Sequence, residues 1–124
     1  EATRKNKTFF SNLKRATKDI NELVTIVDET REFEWGTILP YCDLHKKGSI
    51  EKCNPKKPLY THVRGEIQPH VTPEVDLDRF NKFPIVYAGD LHAHSNTQRN
   101  IVYPGSPMTT TFHREVVTTG YLII

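Results

Sequence analysis

The stretch Tyr87-Ala88-Gly89-Asp90-Leu91-His92-Ala93-His94-Ser95 concentrates the residue types that could do chemistry. An apolar run ends in glycine, and an acid and two histidines follow at once. In open sheets that contain parallel strands, ligand-binding groups sit at the C-terminal ends of the strands. Asp90 and His92 are two residues apart, so an extended or tightly turned backbone lets both converge on one metal ion. A hard carboxylate oxygen and an imidazole nitrogen together suit Mn²⁺, Fe²⁺ or Zn²⁺. His62 repeats the arrangement, because it ends the run Leu59 to Val63 just before Arg64-Gly65. Parallel neighbouring strands would bring His62 to the rim that carries Asp90 and His92. The competing reading gives the histidines a structural role. His70, in Gln68-Pro69-His70, is a weaker candidate near the same rim. His45 and His113 have no constellation around them in the sequence, and His113 reads as a strand residue beside Arg114 and Glu115.

Other chemistries lack their patterns. No nucleophile elbow, phosphate-cradling glycine loop or dinucleotide fingerprint occurs. Metal-assisted hydrolysis is the reaction class these residues permit. Cys42, His45 and Cys53 form a weak zinc pattern, with three ligands at irregular spacing. Free thiols in a cytosolic protein are the expected state of both cysteines.

The elements that must position these groups follow from periodicity. Phe10, Leu13, Ile20, Leu23 and Val24 recur at helical spacing, with basic residues between them. A β-branched run then predicts a strand over 23–27. Alternation predicts another over 33–39, ended by Pro40. Residues 40–58, rich in proline and lysine, read as a long loop. Strands are expected at 59–63, 83–89 and 100–104, and two more at 110–118 and 120–124. Residues 64–82 read as loop, with a short helix around Asp76 to Phe80. The mixture of few helices and many short strands gives an α/β or α+β class.

Composition sets the outer bounds. A chain of 124 residues is one domain's worth. Apolar residues at 36% and charged residues at 26% are those of a chain that folds. Apolar runs reach about five residues where a membrane helix needs about 20, and no secretory leader is visible. The chain opens on Glu1 and closes on an apolar stretch, so we expect an excerpt of a longer protein. The net charge of +2 is too small to diagnose a nucleic-acid binder. Its distribution is more suggestive: Arg4, Lys5, Lys7, Lys14, Arg15 and Lys18 cluster, as do Lys46, Lys47, Lys52, Lys56 and Lys57. Such patches attract phosphate backbones, although charge alone reads more simply as a solvated face.

Tyr-Ala-Gly-Asp-Leu-His-Ala-His at 87–94, Asn-Ile-Val-Tyr-Pro-Gly-Ser-Pro at 100–107 and Thr-Thr-Phe-His-Arg-Glu at 110–115 form a set. This set resembles the C-terminal half of a calcineurin-like metallophosphoesterase domain. It is closest to the SbcD-type nuclease subunits of DNA repair and recombination, and suggests a bacteriophage member. The resemblance covers roughly residues 20–124 and is strongest from 60 onward. It implies an α/β fold, the C-terminal half of a four-layer β-sandwich flanked by helices, with residues 1–124 as a single partial domain. It implies that His62 and Asp90 bind one metal and His92 a second. Arg64 and His94 would be the substrate-binding residues. The cofactor would be two divalent ions, Mn²⁺ foremost and Mg²⁺ the alternative.

The substrate would be DNA, and the partner an SMC-like ABC ATPase subunit. The resemblance also implies a homodimer, no membrane association, and a place in the cytoplasm, that of the host for a phage-encoded chain. Asp90 departs from the family pattern, which has histidine there. The family's Asp-x-His, Gly-Asp-x-x-Asp and Gly-Asn-His-Asp/Glu motifs do not occur, so the excerpt alone is expected to be inactive. The alternatives are another metallophosphoesterase, such as a phosphatase or cyclic nucleotide phosphodiesterase, and a non-catalytic binding domain with structural histidines.

Overall fold

The computed structural model describes residues 13–15, 24–109 and 118–124. Five short strands form one sheet in chain order: β1 (Arg31–Glu32), β2 (Thr37–Leu39), β3 (Leu59–His62), β4 (Val86–Gly89) and β5 (Ile101–Val102). β1 and β2 pair antiparallel, and β2 through β5 run parallel. Two single-turn helices, α1 (Tyr41–Leu44) and α2 (Ser49–Lys52), fill the β2–β3 connection. A 3₁₀ turn, Leu77–Phe80, lies before β4, and a second, His94–Asn96, follows it. The fold is mixed α/β with few helices.

Each crossover must bury apolar side chains to hold one face of the sheet. Leu39, Leu59, Val86 and Ile101 point to that face and are fully buried. Leu44 from α1, Ile50 from α2, Phe80 from the 3₁₀ turn and Phe83 pack into the same core. Burying each of these side chains contributes on the order of 1.5–3 kcal/mol. The opposite face carries Ile38, Tyr60, Tyr87 and Val102, all partly exposed. Tyr60 stacks on Tyr87 with ring centroids 5.1 Å apart, and Trp35 meets Tyr60 edge-on at 5.2 Å. Residues 24–28 border this face and help enclose a groove of about 950 Å³ that runs from Trp35 to His62 and Asp90.

Several expectations are corrected. The alternation over 33–39 is a hairpin, not one strand. Phe33 N–H donates to Gly36 O at 2.8 Å, and Trp35 folds back to stack on Phe33 at 5.0 Å. Residues 24–27 take no regular structure, and the expected strand over 23–27 is absent from them. Their β-branched side chains line the groove instead. Residues 40–58 are a loop only in part. α1 is started by Pro40, whose carbonyl accepts from Asp43 N and Leu44 N at 2.9 and 3.2 Å.

The strand expected at 83–89 begins only at Val86. Phe83 N–H instead closes a turn on Phe80 O at 3.1 Å, and Pro84 has no N–H to give a ladder. The expected strand at 59–63 forms as β3, and that at 100–104 narrows to β5. Residues 118–124 are irregular, with Tyr121, Ile123 and Ile124 exposed, so no strand forms at 120–124. There Gly120 N–H bonds to Ser106 O at 3.1 Å. The strand expected at 110–118 and most of the N-terminal helix lie outside the described residues, although 13–15 are helical. Among the described residues no helix is long and apolar enough to cross a membrane.

Candidate functional site

The parallel register of β3 and β4 sets His62 directly opposite Gly89 at the C-terminal rim. That closeness requires glycine: a Cβ on residue 89 would lie 2.7 Å from His62 Nδ1. The chain then turns sharply, with Asp90 at φ 109°. An L-residue there is strained by roughly 1–3 kcal/mol, and such strain is concentrated at functional sites. The turn delivers the Asp90 carboxylate to His62, with Nε2 and Oδ1 3.4 Å apart. Arg64, just beyond the end of β3, places its Nε 3.3 Å from the other oxygen, Oδ2.

His92 shares a small cavity of about 220 Å³ with His62 and Asp90. Its backbone is held by the chain following β5, where Ser106 N–H donates to His92 O at 2.9 Å. Gly105 permits this approach, since its φ is 81° and a Cβ would come within 2.9 Å of the same oxygen. His94 lies outside this cavity and directs Nδ1 at Tyr103 O, 2.6 Å away. The sequence candidates are thus brought to one rim: Asp90 between His62 and Arg64 and in contact with each, His92 in the same cavity as His62 and Asp90, His94 nearby.

Two ligands bound to one cation at about 2.0–2.2 Å stand roughly 3.0–3.5 Å from each other. The 3.4 Å separation of His62 Nε2 and Asp90 Oδ1 meets that requirement. Among the described residues no group of three or more His, Cys, Asp or Glu side chains could hold a metal ion. The described part therefore offers a pair of donors at a ligand-like spacing with His92 close by, and a metal ion held there would need further donors from beyond it.

The surroundings contain what the sequence did not reveal. Glu74 accepts from Arg64 N–H at 2.6 Å and from the Tyr41 hydroxyl at 3.1 Å. His45 Nε2 stands 3.3 Å from the same carboxylate. The Tyr41 ring meets His62 edge-on, with centroids 5.7 Å apart. The Glu74 charge, foremost among several causes, raises the Tyr41 phenol above its ordinary pKa. His45 therefore does have a constellation around it, built from a loop residue far away in sequence, and no local pattern signals it. Tyr103, fully buried behind the rim, donates to Val63 O at 3.0 Å, and burial pushes its phenol up to about 12.

The zinc pattern does not assemble. Cys42 Sγ donates to Asp28 O and Cys53 Sγ to Ser49 O, while His45 faces Glu74. Both cysteines are free, and burial raises both thiols. His70 is exposed, and His113 lies outside the described residues. Part of the lysine cluster is engaged internally, with Lys46 on Asp43 at 2.6 Å and Lys57 on Glu32 at 2.8 Å.

The chain is 46% identical over 100 residues to a protein of Escherichia phage T5 named "Probable exonuclease subunit 1". The match takes in 76% of this chain but only 29% of the length of that relative. No family model matches the chain. No solved structure matches it significantly.

Proposed function

We propose that this chain is part of a metal-dependent phage DNA nuclease of the calcineurin-like metallophosphoesterase superfamily, SbcD-type, acting in DNA repair, recombination or phage DNA processing. The observation that carries the reading is the convergence of His62 and Asp90 at the ends of neighbouring parallel strands, with His92 in the same cavity. The phage relative supports the nuclease class by its name.

In this reading His62 and Asp90 would hold one divalent ion and His92 would contribute to a second, with Mn²⁺ foremost and Mg²⁺ the alternative. Such a pair, when bound, supplies an activated water and neutralises charge developing at the phosphorus. The residues of this chain do the rest by position. Gly89 gives His62 room, and the turn at Asp90 aims its carboxylate at His62. Arg64, exposed beside Asp90, has the planar fork of donors that matches a phosphate and would hold the DNA backbone. His94, fixed through Nδ1 to Tyr103 O, would present its other ring nitrogen to the substrate. The word "subunit" in the relative's name supports work in a complex, for which an SMC-like ABC ATPase and a second copy of the chain are the proposed partners. The host cytoplasm, where the DNA lies, is the proposed location.

The test is Mn²⁺ titration of the full-length protein by electron paramagnetic resonance, with cleavage of linear duplex DNA followed in parallel. His62→Ala and Asp90→Ala should each weaken Mn²⁺ binding at least about tenfold and abolish cleavage. Parental Mn²⁺ affinity in both variants would overturn the reading.

A further inference from the structure

His62 and Asp90 are poorly fixed by the core. The His62 side chain is 52% exposed, and its contact with Asp90, at 3.4 Å, is longer than a good hydrogen bond. Something else must hold the pair in register for a ligand role. Among the described residues Glu74 is the carboxylate that reaches both sides of it. Its side chain is only 16% exposed. Through Oε2 it anchors the Tyr41 hydroxyl, and the Tyr41 ring in turn stands perpendicular to the imidazole of His62. Edge-to-face rings of this kind define each other's orientation. Through Oε1 it accepts from Arg64 N–H at 2.6 Å, a short charge-assisted bond. That bond fixes the backbone just beyond His62, from which the Arg64 guanidinium reaches Asp90.

We infer that Glu74 is the positioning residue of this site, bracing His62 by way of Tyr41 and Asp90 by way of Arg64. Glu74 touches neither of them, and it is not itself a ligand. The inference rests on the reading of His62 and Asp90 as metal ligands, and it extends that reading to a residue from a separate loop. Glu74 acts through these two hydrogen bonds, to Tyr41 and to Arg64. Glutamine at 74 keeps a carbonyl for Arg64 N–H and an amide that the Tyr41 oxygen can accept from, whereas alanine keeps neither.

The experiment uses the full-length protein with two readouts. Mn²⁺ affinity is measured by electron paramagnetic resonance, and the imidazole proton resonances of His62 are followed by NMR in metal-free protein, where the Tyr41 ring current marks its orientation. Glu74→Ala should weaken Mn²⁺ binding about 10–100-fold, the usual effect of losing an outer partner of a ligand, and should shift the His62 resonances. Glu74→Gln should stay within about threefold of the parent and leave those resonances in place. If Glu74→Ala fails to fold, Tyr41→Phe takes its role, with the His62 resonances shifted and Mn²⁺ bound more weakly.

Parental affinity and unmoved His62 resonances in Glu74→Ala, or in Tyr41→Phe where it stands in, would overturn the inference. So would a Glu74→Gln variant as impaired as Glu74→Ala. If His62→Ala and Asp90→Ala bind Mn²⁺ normally, the metal reading has failed instead. The NMR readout in metal-free protein still decides whether Glu74 holds His62.

Discussion

Gly89→Ala separates site geometry from stability. An ideal Cβ at residue 89 would stand 2.7 Å from His62 Nδ1 and 3.4 Å from Cε1. Unstrained contact between such atoms begins near 3.5 Å, so the imidazole must retreat by roughly 0.7–1 Å. It can do so cheaply, because its side chain is 52% exposed and bordered by solvent. Overpacking a closed core costs about 1–3 kcal/mol, and here the cost should fall at or below the lower end. Alanine also removes some backbone freedom from the unfolded chain, which offsets part of that cost. If His62 is a metal ligand as proposed, the functional loss should be of another size, since a displacement of about 1 Å at such groups lowers rates on the order of 10²-fold.

The assay compares initial rates of Mn²⁺-dependent cleavage of linear duplex DNA with melting temperature, in the full-length protein. Gly48→Ala is the reciprocal control. Its φ of 74° strains any Cβ, yet only Lys52 Cε lies within reach, at 4.0 Å. It should cost about 1–2 kcal/mol of stability and leave cleavage by folded protein unchanged. Parental cleavage in Gly89→Ala would refute the reasoning, as would a melting temperature that falls as far as in a core truncation.

His92→Ala should abolish Mn²⁺-dependent cleavage with little change in melting temperature, since His92 is an exposed rim residue, and near-parental cleavage would remove it from the site. Tyr103→Phe leaves the buried Val63 carbonyl without its donor and should cost about 1–3 kcal/mol in denaturant unfolding. Glu51 is held by a two-pronged contact from Arg79, at 2.7 and 2.9 Å, and its carboxyl is lowered to about 2. A carboxyl with its folded pKa below its unfolded value stabilises above the unfolded value and loses that contribution as pH falls through the folded one. The melting-temperature gap between parent and Glu51→Gln should therefore shrink as pH falls from about 4.5 to about 2. The gap should be small and salt-sensitive, because the pair is exposed.

The strands nearest the site were legible because each carries its own local signal. Leu59–His62 and Val86–Gly89 are short runs with aromatic or β-branched residues, followed by Arg64-Gly65 and closed by Gly89, and their parallel pairing follows from long crossovers. The rim position of His62, Asp90, Arg64 and His92 follows from those strand ends. α1 and α2 were illegible because a helix of one turn presents one or two apolar anchors, here Leu44 and Ile50, and has no period to detect. The hairpin at 31–39 was misread because Phe33 and Trp35 alternate as strand residues do, yet stack on each other across a turn. Tyr41 and Glu74 were missed for a different reason. They meet only after three strands have aligned, and nothing near either residue encodes the meeting.

Sheet order here equals chain order, β1 through β5. A chain leaving the ribosome can therefore lay down each of these five described strands against the one made just before it. Synthesis proceeds at about 5–20 residues per second, and domains fold as units while it does so. The pairing of His62 with Gly89 can be in place before β5 and the Gly105 loop have been made. Among the described strands β5 is added after that pairing, and Gly105 and Ser106 then close over His92.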